Sequence, residues 1–353
     1  MTVFYILLAI LMFGILILVH EFGHFITAKL SGVQVNEFAL FMGPAIWKKQ
    51  KGETLYSLRC IPIGGYCAME GEDGDSENPR AFSNAKVWKK LIILVAGAVM
   101  NFIIGFILTV IFIAFYYGEA DILPTKQIAA IEEGRPFANV LQVGDEFYEI
   151  NGRRVFVADD ITLLLDRESD GVHDITVIRD GEKVELKNVE IKRDLETENG
   201  LKFGFSYGLD EFTVGNVLSY SWNQSLDFGR LVWMSLGDLF SGRASVSDMG
   251  GPVMIVDAVT QAGVASETVG LGILNVIYFF AFIAINLGVM NLLPVPALDG
   301  GRVVCLLVTA GAEKILRRKI DPKYEGYLHG AFMILLLAFM AFIMFKDVFA
   351  LFN

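Results

Sequence analysis

Residues 3–24 read VFYILLAILMFGILILVHEFGH. Val3 to Val19 carries no charge, and a run of about 20 apolar residues can span a bilayer. His20-Glu21-Phe22-Gly23-His24 then sets three ionisable side chains at the end of that run. Residues four apart share a helix face, so His20 and His24 can present two imidazoles to one metal ion. Glu21 lies beside them, outside the same ligand geometry, where it can take a proton from an attacking water. This is the logic of a zinc metallopeptidase helix. Ionisable groups in a membrane span are costly and mark function. The bland alternative, histidines meeting polar headgroups, does not account for their pairing. A secretory signal peptide would have a basic residue ahead of the run and a small-residue cleavage site behind it. The sequence has neither at these positions.

Working outward, 54% of the 353 residues are hydrophobic. Three further apolar runs follow, Leu91–Tyr117, Leu271–Pro296 and Gly330–Phe345, so four spanning helices are predicted. Basic residues near span ends mark the cytoplasmic side. Lys29, Lys48, Lys49, Lys51, Lys86, Lys89 and Lys90 lie between the first two spans, and Lys314, Arg317, Arg318, Lys319 and Lys323 between the last two. Both loops are therefore expected in the cytoplasm, with both termini and the segment between spans two and three outside. That segment is acidic: residues 118–210 hold 21 acidic and 11 basic side chains, most of a net charge of −11. The acidity argues against nucleic acid as a partner. Cys60, Cys67 and Cys305 do not make a disulfide framework.

Between the first two spans, Thr54–Ile61 reads as a strand. Gly64-Gly65 turns the chain, and Tyr66-Cys67-Ala68-Met69 returns as a second strand, giving a hairpin over 54–69. Gly71 to Pro79 is acidic and turn-rich, but it lacks EF-hand spacing and reads as a solvated loop. Residues 118–210 contain short strands joined by Asn151-Gly152 and Asp180-Gly181 turns. Their Leu141-x-x-Gly144-Asp145-x-x-x-x-Ile150-Asn151-Gly152 pattern resembles a PDZ domain, a fold that binds extended peptide as an added strand. Phe212–Phe240, with Trp222, Phe228 and Trp233, reads as an amphipathic helix near the membrane interface.

Catalytic zinc takes three protein ligands and keeps one position open. His173 lies in the acidic segment, and His329 opens the fourth span. Asp299 is the better candidate, in Asn291-Leu-Leu-Pro294-Val-Pro296-Ala-Leu-Asp299-Gly300-Gly301. Pro294 and Pro296 break the third helix near its cytoplasmic end, and the freed backbone must be buried in protein or line a wet cavity. Asp299 also reads as the N-cap of the next helix, which is compatible with ligation.

His-Glu-Phe-Gly-His in the first span, the PDZ-like insert and the Asn-x-x-Pro-x-Pro-x-Leu-Asp-Gly stretch together resemble the site-2 protease family, in particular its bacterial RseP/RasP-type members. The resemblance covers essentially the whole chain. It implies a polytopic α-helical membrane protein with four transmembrane helices, a membrane-associated β-hairpin and an inserted α+β PDZ-like domain. Its parts would be a first membrane segment over 1–117, the PDZ-like domain over 118–210, interfacial amphipathic helices over 211–270 and a second membrane segment over 271–353. It implies Zn2+ on His20, His24 and Asp299, with Glu21 as general base and Asn286 and Asn291 beside the substrate backbone. Implied substrates are single-pass transmembrane proteins or peptides in the lipid of a bacterial cytoplasmic membrane, such as anti-sigma factors and signal-peptide remnants. One departure is the single PDZ-like domain, as in the shorter members. The rival classes are a PDZ-bearing membrane scaffold without protease activity and a metal transporter. Glu21 counts against the first, and the lack of an internal repeat against the second.

Overall fold

Four helices in the computed structural model are long and apolar enough to cross a membrane. The structure describes residues 1–72, 74, 76–193, 203–245, 250–316 and 323–351. Asp73 and Asp75 of the acidic loop, and Arg317, Arg318 and Lys319 of the basic cluster, lie outside the described residues. In chain order the elements are α1 (Thr2–Leu30), β1 (Val35–Lys51), β2 (Thr54–Met69), α2 (Val87–Tyr117), β3 (Ile122–Ile131), β4 (Glu146–Ile150), β5 (Arg153–Arg154), α3 (Ala158–Leu165), β6 (Val172–Arg179), β7 (Glu182–Glu190), β8 (Phe205–Glu211), α4 (Val214–Phe240), α5 (Pro252–Val264), α6 (Val269–Asn291), α7 (Asp299–Leu316) and α8 (Lys323–Leu351). The spans are α1, α2, α6 and residues Gly326–Asp347 of α8. The chain divides into two compact units, one of residues 1–108 and 232–353, the other of residues 109–231.

In the first unit, helices close on one another through small residues. Lipid tails are as apolar as leucine, so packing rather than water exclusion drives helices together in a bilayer, and small side chains let backbones approach. A methyl group on Gly23 of α1 would lie 2.5 Å from the Ala96 carbonyl oxygen of α2. One on Gly105 of α2 would lie 2.5 Å from Ile285 of α6, and one on Gly288 of α6 would lie 2.9 Å from the Ala98 carbonyl oxygen. Two apolar clusters flank these crossings. Tyr5, Ala9 and Leu16 of α1 pack with Val259 of α5 and Val276 and Phe280 of α6. Ala28, Val35, Cys67, Met69 and Ile93 join the end of α1 to β1, β2 and the start of α2.

The hairpin differs from its sequence reading. The chain reverses at Gly52-Glu53, with Ala45–Lys51 antiparallel to Thr54–Arg59. Val35–Leu40 pairs antiparallel with Gly65–Met69, while Glu37–Leu40 also partners Leu55–Leu58. The two halves of β2 therefore flank the first half of β1 instead of pairing with each other. The return strand at 66–69 exists, but its partner is the stretch 35–39, a pairing that no local turn signal specifies.

The second unit holds a six-stranded sheet in the order β7-β6-β4-β3-β8, with β5 on β4. Asn151 and Gly152 at the β4–β5 turn, and Asp180 and Gly181 at the β6–β7 turn, have positive φ of 51°, 71°, 52° and 84°, the geometry of a two-residue hairpin turn. Asp145 is buried, takes a two-pronged ion pair from Arg179 at 2.7 Å to each oxygen, and accepts the Gln142 N–H at 2.9 Å. Phe147, Ile150, Ile161, Leu164 and Val177 form the core between sheet and α3. Phe228 of α4 is also buried, so only Trp222 and Trp233 of the three aromatics expected at an interface are exposed.

Arg230 of α4 reaches α3 and β5. It donates to the carboxylates of Asp160 and Asp227 and, at 2.6 Å, to the Arg154 carbonyl oxygen. One guanidinium between two buried carboxylates cannot neutralise both. Burial, and then the neighbouring Asp160 charge, push the Asp227 carboxyl up to about 8. An unfolded aspartate titrates near 3.9, so the retained proton favours the folded state fully below about pH 4, and that contribution is lost as pH rises through 8. Thermal unfolding of the detergent-solubilised protein should show its midpoint falling from pH 5 to 8 and levelling above. Asp227→Asn should flatten that slope; an unchanged slope would exclude Asp227 as its source.

Candidate metal centre

The end of α1 and the start of α7 supply three side chains that meet at one point. His20 Nε2 lies 3.3 Å from His24 Nε2, and Asp299 Oδ2 lies 3.2 Å from the first and 3.4 Å from the second. Among the described residues this is the group of His, Cys, Asp and Glu side chains able to hold a metal ion together. Ligands about 2.0–2.1 Å from a tetrahedral zinc stand about 3.3 Å apart, so the triangle matches that geometry.

The surroundings of His24 and Asp299 point the same way. His24 is buried, and its Nδ1 donates to the Ile93 carbonyl oxygen of α2 at 2.7 Å. That leaves Nε2 with a lone pair, the tautomer of a metal-ligating imidazole with its outer hydrogen bond on a carbonyl. Asp299 Oδ2 is buried and accepts no hydrogen bond among the described residues. Lone pairs this close repel one another unless a cation sits among them. His20 Nδ1 faces the Asn101 amide at 3.2 Å and the Asn291 amide at 3.4 Å, nitrogen foremost in both. Asn101 Oδ1 is meanwhile buried without a partner. A half-turn of the Asn101 amide would satisfy that oxygen with a His20 Nδ1–H and leave Nε2 as the lone-pair nitrogen.

Backbone geometry makes room for the cluster. A methyl group on Gly97 of α2 would lie 2.7 Å from His20 Cε1, 2.8 Å from His20 Nε2 and closer still to His24 Nε2. Past Asn291, Pro294 and Pro296 prevent helical continuation, and Ala297 takes a positive φ of 82°. A non-glycine residue in that region carries roughly 1–2 kcal/mol of strain. Asp299 then opens α7. Any side chain on Gly300 or Gly301 would collide with the carbonyls of Leu292, Leu293 and Val295, so these glycines let α7 start against the loop. Glu21 lies on the β-sheet side of α1, where a methyl group on Gly65 of β2 would come 3.0 Å from its Cγ.

His20, Glu21, His24, Asp299 and Asn291 thus share one neighbourhood. Asn286 is half-buried with its Oδ1 unpartnered. The two rejected histidines are engaged elsewhere: His173 contacts the Ile191 carbonyl oxygen at 3.2 Å, and His329 Nδ1 accepts the Ala297 N–H at 2.9 Å. Sequence reasoning missed Asn101 and Gly97. The signal for Asn101 was present, as an amide within the otherwise apolar run 91–117.

The sequence profile of peptidase family M50 matches residues 8–339. The chain belongs to that family. It is 35% identical over 352 residues to a Clostridium acetobutylicum protein named provisionally as a zinc metalloprotease, covering 99% of this chain and 98% of the relative. A Fusobacterium nucleatum protein named in the same way is 33% identical, over 98% and 99% of the two chains. The zinc metalloprotease RasP of Shouchella clausii is 28% identical, covering 98% of each chain. With these relatives and four apolar helices, the M50 chain is a membrane zinc metalloprotease of the site-2 protease family, which acts on membrane-protein substrates.

The close approach of α2 has a direct test. Gly97→Ala should push both imidazoles aside and lower zinc, measured by elemental analysis of purified protein, to well below one per chain. Full zinc occupancy in this variant would show that Gly97 does not set the space for the two histidines.

Proposed function

We propose that this M50 protease hydrolyses peptide bonds within transmembrane segments, using zinc held by His20, His24 and Asp299. The observation that carries the reading is the triangle of Nε2, Nε2 and Oδ2 atoms 3.2–3.4 Å apart. Bound zinc supplies Lewis-acid polarisation of the scissile carbonyl and activation of the attacking water. Glu21 takes the proton from that water on its carboxylate and returns it to the leaving amine nitrogen. The Ile93 carbonyl holds the His24 imidazole in the ligating tautomer, and Asn101 would do the same for His20 with its amide turned over.

A transmembrane helix hides its carbonyls in its own hydrogen bonds, so cleavage requires local unwinding. The β1–β2 sheet, packed against α1 beside Glu21, offers the unwound segment a strand to pair with. Asn286 and Asn291 on α6 hold further substrate carbonyls. The basic loops between spans support a site facing the cytoplasm, with both termini and the PDZ-like unit outside a bacterial cytoplasmic membrane. The PDZ-like unit filters or recruits substrates there. Fitting substrates are single-pass proteins already trimmed outside the membrane, of the anti-sigma factor and signal-peptide remnant kind.

Two substitutions separate chemistry from binding. Glu21→Gln should retain zinc and lower cleavage of a reconstituted transmembrane peptide by at least a thousandfold, while Asp299→Ala should lose both zinc and cleavage. Robust cleavage by the glutamine variant would remove Glu21 from the reaction, and full zinc in the alanine variant would remove Asp299 from the ligand set.

A further inference from the structure

The fourth span makes a polar contact with the loop that carries Asp299. His329 lies near the start of α8, and its Nδ1 accepts the Ala297 N–H at 2.9 Å. Ala297 is two residues ahead of Asp299 and is the residue held at φ 82°. Around it the loop satisfies itself locally: Val295 N donates to Leu293 O at 2.7 Å and Leu298 N to Val295 O at 3.1 Å, and Pro294 and Pro296 have no N–H. The Ala297 amide instead finds its acceptor on a separate helix. An accepting Nδ1 leaves the ring proton on Nε2, and His329 stays outside the cluster of three ligand atoms.

The rest of α8 is sparingly attached. Only 6% of its most apolar window is buried. Towards the other end, Asp347 is buried in contact with α5, where its Oδ2 accepts the Gly251 N–H at 2.9 Å and the Met254 N–H at 3.4 Å. Eighteen residues separate His329 from Asp347, a helical rise of about 27 Å against a hydrocarbon thickness of about 30 Å. The helix thus makes polar contacts towards both ends of its apolar length, and the contact at the His329 end bears on the loop that carries Asp299.

We propose that His329 is a positioning residue for the metal centre: by accepting the Ala297 N–H, it holds the left-handed turn that aims the Asp299 carboxylate at His20 and His24. The inference rests on the reading of Asp299 as a ligand. His329 is not one of the three residues whose ligand atoms cluster. Its effect is on metal affinity and turnover, as expected of outer partners that orient ligands.

The test compares His329→Leu, which removes the acceptor, with His329→Asn, whose Oδ1 occupies the place of Nδ1. Full-length protein is taken from the monodisperse size-exclusion peak; if His329→Leu yields none, His329→Ala replaces it. Each variant is loaded with Co2+ for its d–d absorption, titrated with zinc against a chelator, and assayed for kcat and KM on a transmembrane peptide. The acceptor-free variant should bind zinc about 10–100-fold more weakly, with altered cobalt bands, reduced kcat and little change in KM. The asparagine variant should match the parent. Parent-like cobalt bands and zinc affinity without the acceptor would overturn the proposal, as would equal loss in both variants. Asp299→Ala, run alongside, should show no parent-like cobalt spectrum. If it does, the ligand reading itself fails, an outcome distinct from failure of the His329 contact.

Discussion

Three electron-rich atoms held within 3.4 Å of one another in an apolar surrounding set the terms for the rest of this structure. Such a cluster is stable only around a cation, and it forms only if helices carrying its members come very close. Gly23 and Gly288 let α1 and α6 meet α2 backbone to backbone, and Gly97 leaves the volume that the imidazoles occupy. Gly300 and Gly301 do the same for α7 against the loop after α6. Small residues that serve close packing in many membrane helices here also fix the separation of the candidate metal ligands.

The proposed reaction poses the opposite demand. A site that cuts within a transmembrane segment must admit a peptide whose carbonyls are already bonded within a helix. Beside Glu21 the structure offers β1 and β2, an extended sheet with a bent register, in place of another helix. A sheet can exchange hydrogen bonds with an unwound segment, whereas a helix offers its neighbours no unpaired main-chain groups. This sets a strand-forming surface and the candidate metal site on adjacent faces of α1, one for each half of the problem.

Much of the site was legible because its signals are local. His20, Glu21 and His24 lie within one and a half helical turns, and the length of the apolar run before them sets their depth. Asp299 could be ranked above His329 because Pro294 and Pro296 announce a broken helix ending at the same side of the membrane. The Asn151-Gly152 and Asp180-Gly181 turns were readable for the same reason, each requiring positive φ at residues that tolerate it. What could not be read depends on pairing between distant segments. The halves of β2 sit on either side of β1, an arrangement without a turn signature. Asn101 and Gly97 matter only because α2 crosses α1 at that level. Phe228 was read as an interfacial aromatic because its neighbours Trp222 and Trp233 are, yet it faces the core. The clamp of Arg230 on Asp160 and Asp227 joins residues 67–70 positions apart or on one helix turn, and only the fold reveals that they share a charge.

The central claim is a zinc centre of two imidazoles and one carboxylate. Zinc-edge X-ray absorption of the purified full-length protein tests it most directly, because imidazole rings scatter in a way that allows them to be counted. The account predicts a four-coordinate shell of nitrogen and oxygen at about 2.0–2.1 Å, with outer-shell scattering from two imidazoles. A sulfur shell, or scattering from three imidazoles, would contradict it.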